Sequence, residues 1–473
     1  MSTEPLDFAL PRASRKRFLR DAAFGLGSVA LADLLAREAG AAGPEGPHFA
    51  PKAKRVIQIF ACGGVSHIDS FDHKPALDRL HGTECKRPFD TFFNQPGNLM
   101  RSPFAFTPRG SGGHMISSLF PHLGKLVDDM VFLHAMKAKS ANHTPATFQM
   151  NSGFTLNGFP CLGAWLSYGL GSLNQDLPTF VVLPDPRGLP AGGAINWTSG
   201  FLPANHQGTP FRPTGEAVHN LFPPAGTDAR ERAASLDLLR TLNRDHAHAA
   251  GDDPALAARI RAYELAARMQ LSIPKAVAID NEPAHVCTLY GMDDPEAAAF
   301  GRNCLLARRL LEKGVRFVQL YHGGAFGSPR INWDAHEDIV DNHVKQARSM
   351  DQPVAGLLAD LKQRGMLDDT LLLWTTEFGR TPITQGVGQP GRDHHPFAYT
   401  CWMAGAGLKQ GLRYGKTDEI GYEPAEDPVS VYDFHATVLH LLGIDHKRLT
   451  YYHNGIGRRL TDVHGEVIRP LLA

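Results

Sequence analysis

Six short runs along the chain are apolar with little interruption: 55–60, 129–136, 179–183, 315–321, 370–376 and 397–405. Near-continuous runs of this length, without polar alternation, are the mark of strands covered on both faces. Between them the apolar positions take on a helical period over 162–170, 255–269, 297–313, 339–364 and 431–442. Strands alternating with helices predict an α/β fold: a doubly wound, mostly parallel sheet flanked by helices. Two stretches break the alternation. Residues 184–227 are rich in Gly, Pro and Asn, and 228–282 are charged, alanine-rich and helical. Together 184–282 read as a loop and helical insertion within a single domain spanning 44–473, and loops this long are usually functional or disordered.

Ahead of the first strand, "SRKRFLRDAAFGLGSVALADLLAREAGAAG" runs from a basic start through a weakly apolar middle to small residues. That three-part layout predicts a signal segment over 1–43. Its opening resembles the twin-arginine consensus, with Lys16 in place of the second arginine. The expectation is an exported protein, periplasmic or in the cell envelope, carried by the twin-arginine export machinery. No stretch approaches the ~20 apolar residues that a membrane-spanning helix needs, so no transmembrane anchor is expected.

Composition narrows the chemistry. Hydrophobic residues make up 43% and charged residues 20%, the balance of a globular protein. Lys plus Arg equals Asp plus Glu at 48 each, so no basic field for nucleic acid exists. Six scattered cysteines form no CxxC pair, which argues against a structural zinc ribbon. The 23 histidines are the unusual feature, and many stand beside an aspartate. That pairing is common among divalent-metal ligands.

In an open α/β sheet, ligands gather beyond the carboxyl ends of the strands. After the first run, "GGVSHIDSFDHKP" offers His67 and Asp69. After the second, "KSANHTPATF" offers His143 and Thr144, with Thr144 expected as a helix N-cap and Pro145 in the first turn. A hydroxyl there would sit at the positive end of the helix dipole. "INWDAHED" gives Asp334 and His336 at i, i+2, one side of an extended segment. "TTEFGRTP" places Glu377 at a strand tip and Arg380 where it could clamp an oxyanion. "GRDHHPF" offers two alternatives: Asp393 and His395 share a metal, or His394 ligates and Asp393 orients an imidazole. No GxSxG elbow follows a strand, and no GxxxxGK[ST] loop occurs, so a hydrolase triad and a nucleotide cradle are not supported.

Taken in order, "ACGGVSHIDSFDHKPAL", "NWDAHED", "TTEFGRTP", "GRDHHPFAYTCWMAGAGLKQG" and "DFHATVLHLLGIDH" resemble an exported bacterial family, domain of unknown function 1501. The resemblance covers nearly the whole chain from Ser14. It implies membership of the alkaline-phosphatase-like superfamily of sulfatases and phosphatases. It further implies one or two divalent ions (Zn, Mn or Ca) and a small-molecule or glycan ester as substrate. The superfamily order would map onto Asp69, Thr144, Asp334 with His336, Glu377, and then His394 or His395. Where relatives have Asp-His-Gly, this chain has Glu377-Phe378-Gly379, which costs one expected histidine. The sulfatase signature Cys/Ser-x-Pro/Ala-x-Arg is absent around Cys62, Ser66 and Thr144. The expected activity is metal-dependent hydrolysis of a phosphate or sulfate ester. The alternative is a metal-stabilised binding protein on the same fold.

Overall fold

All six apolar runs lie in one nine-stranded sheet of the computed structural model. That structure describes residues 46–86, 96–212, 228–251, 277–325, 330–386 and 388–473, with scattered positions between 252 and 276. The signal-like segment 1–43 lies outside them, as does much of the helix expected over 255–269. The strands are β1 (Arg55–Ala61), β2 (Met130–Lys137), β3 (Phe180–Leu183), β4 (Thr209–Pro210), β5 (Phe317–His322), β6 (Thr370–Thr375), β7 (Tyr399–Gly405), β8 (Leu412–Tyr414) and β9 (Val429–Ser430). Their order is β8-β2-β7-β6-β1-β5-β3-β4, with β9 also on β2. The first strand therefore lies inside the sheet, parallel to β5 on one side and β6 on the other. Only β7 runs against the rest, antiparallel to β6 and β2. This is the mostly parallel α/β architecture that the apolar runs imply.

Continuous apolar runs arise because each strand feeds two cores. Ile57, Ile59 and Ala61 join Phe132, Leu320 and Trp374 on one face. Val56 and Phe60 join Leu133, Tyr321 and Leu373 on the other. Helices α5 (Ala298–Glu312) and α6 (Ile339–Gln363) close the first face, and α3 (Leu162–Leu170) and α7 (Val431–Leu441) the second. Their ends obey local chemistry. Asp338 caps α6 by accepting from the backbone N–H groups of Val340 (2.8 Å) and Asp341 (3.1 Å). A reciprocal Ser430–Asp433 capping box starts α7. Further helices are α1 (His67–Ser70), α2 (His143–Ser152) and α4 (Ala229–Ala250).

Four segments meet at the carboxyl edge of this sheet: the turn after β1, the start of α2, the loop after β5 and the turn after β6. Because β7 is antiparallel, the residues that precede it reach the same edge. The chain at Gly379–Arg380 pairs there with His394–His395 as a two-stranded ribbon.

Candidate metal centre

The turn after β1 has to be glycine. Gly63 has φ +112°, and a Cβ on it would lie 2.6 Å from the backbone nitrogens of Trp333 and Asp334. This close approach docks the loop after β5 onto the end of β1. Gly63 also donates its N–H to Glu377 Oε1 at 2.8 Å. Two loops are thereby fixed on one turn.

Helix α2 brings the third element. Its N-cap is Asn142, whose side chain accepts from the Thr144 N–H at 3.3 Å. The cap expected at Thr144 therefore falls two residues earlier, because an asparagine side chain reaches the N–H of the second helical residue. His143 becomes the first residue of the helix and points into the edge; Thr144 stands in the same first turn, partly exposed.

The ribbon brings the fourth. Adjacent residues of an extended strand face opposite sides, so His394 and His395 part company. His394 turns toward the loop after β5. His395 turns away, its Nε2 donating to the Tyr422 carbonyl at 2.5 Å and its ring stacked on Tyr422. Burial pushes its pKa down to about 3.

His143, Asp334, His336 and His394 thus converge, all buried, with one ligand atom from each lying within 4.8 Å of the others. The Nε2 atoms of His336, His394 and His143 stand 2.8, 3.1 and 3.3 Å from Asp334 Oδ1. Each ring is held from behind through Nδ1. His143 Nδ1 meets Glu377 Oε1 at 2.7 Å, His394 Nδ1 meets the Ala141 carbonyl at 2.7 Å, and His336 Nδ1 meets Gln385 Oε1. All three partners are oxygen acceptors, so each Nδ1 is held as the donor and each Nε2 is left facing the cluster, where it can ligate a metal once any proton on it is displaced. Three imidazole nitrogens and a carboxylate oxygen make a donor set suited to a transition metal, and less suited to Ca.

The charges are arranged around Asp334. Its Oδ1 accepts from Arg380 Nη2 at 2.6 Å, and its Oδ2 pairs with Arg330. Burial would raise its pKa, but Arg380 and the three imidazoles outweigh that and hold the carboxyl well below its usual range. Burial likewise opposes a charged His143, yet hydrogen bonds to Asp334 and Glu377 lift it to about 9. Burial keeps His394 neutral, well below the ordinary histidine range, despite its contact with Asp334.

The other residues singled out in the sequence lie around this group. Glu377 sits behind His143 and is shared with Gly63 and the Thr376 hydroxyl. Arg380 is fully buried and committed to the carbonyls of Gly63, Gly64 and Arg392 as well as Asp334. It braces the loops and turns no face to a substrate anion. Asp69 forms a two-pronged pair with Arg392, at 2.7 and 3.1 Å, with neither side chain exposed. His67 donates from Nε2 to the Gly421 carbonyl at 2.8 Å. Asp393 Oδ1 accepts the His394 N–H at 2.7 Å. Phe378 fills the place where a further histidine was expected, its ring centroid 5.0 Å from that of His143 and 4.6 Å from that of His394. Sequence reasoning did not single out Gln385 or Ala141. A backbone carbonyl leaves no trace in sequence, and Gln385 lies in a polar loop without a motif.

No curated protein sequence matches the chain. Among solved structures it is similar to the lipoteichoic acid synthase LtaP from Listeria monocytogenes, at 10% identity and TM-score 0.37, over 84% of this chain and 74% of that one. It is similar to the phosphonate monoester hydrolase SpPMH from Silicibacter pomeroyi, at 15% identity and TM-score 0.36, over 75% and 71%. A third is a protein in the alkaline phosphatase superfamily from Vibrio parahaemolyticus, at 13% identity and TM-score 0.37, over 88% and 72%. The family described as "protein of unknown function (DUF1501)" matches residues 53–472. The match begins just ahead of β1 and includes all four residues of the cluster, and the chain is a member of the DUF1501 family.

Proposed function

We propose that this protein is an exported hydrolase of phosphate or sulfate esters that works with one transition-metal ion held by His143, Asp334, His336 and His394. The observation that carries the reading is the convergence of three imidazole Nε2 atoms on Asp334 Oδ1, each ring fixed from behind through its Nδ1. A divalent ion in such a setting polarises an ester oxygen or activates a bound water.

The chain's own residues supply the rest. Glu377 and Gln385 fix the tautomers of His143 and His336. Thr144, in the first turn of a ten-residue helix, is the proposed nucleophile, where the helix dipole favours an approaching anion. Arg380 is fully buried, so contact with the ester's anionic oxygens passes to Arg330, whose side chain is 32% exposed. The proposed substrate is a small-molecule or glycan ester. Export through the twin-arginine machinery, to the periplasm or cell envelope, is proposed from the basic, apolar and small-residue layout of 1–43.

Phe378 favours one second reading. Its ring packs on two of the four proposed ligands and leaves a single cluster among the described residues. One ion in a closed site is the arrangement of a structural metal, which would make the protein a metal-stabilised binding protein of the envelope. The test is elemental analysis of protein matured through its export route, followed by assay on p-nitrophenyl phosphate, bis(p-nitrophenyl) phosphate and p-nitrophenyl sulfate. One ion per chain with turnover supports the hydrolase. One ion without turnover on any ester supports the second reading. Metal content unchanged in His394→Ala eliminates the centre itself.

A further inference from the structure

A cavity of about 650 Å³ lies between the turn after α1, strand β2 and the edge strand β8, and residues 415–427. None of its lining residues belongs to the metal cluster. We propose that it binds a neutral, polyhydroxylated ligand with the chemistry of an uncharged mono- or disaccharide.

Its size is that of a small-molecule site, and its lining is divided in kind. The partly exposed rings of His73 and Tyr414 line it, together with the buried rings of Phe71, Phe132 and His134. Aromatic rings of this sort accept the C–H face of a pyranose. Around them the charges cancel. Lys74 pairs with Asp72 at 2.9 Å, each side chain only 11% exposed. Lys416 pairs with Glu426 at 2.9 Å, and Arg413 and Asp427 also line the cavity. Three cations face three carboxylates, so neither an anion nor a cation gains from entering. A hydroxylated ligand does gain, because its O–H groups both donate to carboxylates and accept from ammonium and guanidinium groups.

His134 gives the second observation. It is only 8% exposed and lines the cavity. Its Nδ1 contacts the Thr400 hydroxyl at 3.2 Å, and among the described residues its Nε2 has no partner. That nitrogen is not sealed off and is open to a hydrogen bond from a ligand in the cavity. Burial also keeps this imidazole neutral, with a pKa near 4, so Nε2 donates or accepts according to tautomer. A hydroxyl satisfies either case.

The experiment is calorimetric titration of the full chain with maltose, cellobiose, lactose and N,N′-diacetylchitobiose, with glucose 6-phosphate as the anionic control. At least one neutral disaccharide is expected to saturate a single site. Affinity should fall about tenfold, one hydrogen bond's worth, in His134→Leu and in Arg413→Ala, with metal content unchanged. Arg413 is exposed, so its variant keeps the test valid if His134→Leu fails to fold. Failure of all four neutral disaccharides to bind overturns the proposal. So does binding of glucose 6-phosphate alone, or neutral-sugar binding that Arg413→Ala and Asp427→Asn leave untouched.

Discussion

His336 Nε2 and His394 Nε2 lie 2.9 Å apart. Both rings carry their Nδ1 proton on an oxygen acceptor, so two lone pairs at this distance repel unless a proton or a cation stands between them. Removing either ring removes a donor that the cluster is built around. His336→Ala and His394→Ala are each expected to bring metal from one ion per chain to near zero by elemental analysis. The wild type should gain thermal stability on metal addition and the variants should not. An ion present at a hundredfold its Kd contributes about 2.7 kcal/mol.

Glu377→Gln tests the support behind His143. The amide keeps the shape and can still accept from His143, but the charge that favours a protonated imidazole is gone. Loss of such a supporting partner typically costs about 10–100-fold in metal affinity, read by competition with a chromogenic chelator.

The pH dependence follows from His143. Its folded pKa, about 9 without metal, lies above the ordinary 6.5. The stability it contributes to the metal-free protein is therefore complete below about pH 6.5 and is lost as pH rises through about 9. Metal competes with that proton. Metal affinity should climb between pH 6.5 and 9 by up to about tenfold per unit and then level off. An affinity flat across this interval would exclude proton competition at His143.

Asp69 and Arg392 separate structure from ligation. Asp69→Ala would leave the Arg392 guanidinium buried and unpaired, at a cost of about 3–5 kcal/mol. Denaturant unfolding should show that loss, while the surviving folded protein keeps its metal. Loss of metal at full stability would instead make Asp69 part of the centre.

Phe378→His places a third imidazole against His143 and His394. The ring it replaces lies in the apolar core, so a stability loss of about 1–3 kcal/mol is expected for burying a polar group there. Metal stoichiometry should rise above that of the wild type. A stoichiometry unchanged at saturating metal would mean that the ring position, rather than its chemistry, limits the site.

The strands were legible because both faces of the sheet are buried, so burial alone wrote them into the sequence as apolar runs. The helix over 339–363 was legible for a related reason, since its apolar period and Asp338 mark both body and start. Side-chain partnership across the fold was not legible. Asp69 and Arg392 stand 323 residues apart, and nothing local says that they will neutralise each other. Nor could spacing choose between His394 and His395. The choice is made by their pairing with Arg380 and Gly379, which decides the side each ring faces. At His143 the sequence placed the helix start correctly to within two residues, but the competing cap at Asn142 shifted what the first turn presents.

The position of β1 has a consequence for how the molecule comes into being. The first strand to be synthesised takes its neighbours from residues 317–322 and 370–375, so it has nothing to pair with until most of the chain exists. Contacts of this sequence separation slow folding, because long loops must close before any pairing repays them. A nascent chain halted before β5 would hold β1 as an unpaired apolar segment, exposed to chaperones or to aggregation. Neither the sheet nor the ligand from the ribbon at His394 can be complete until synthesis is nearly over.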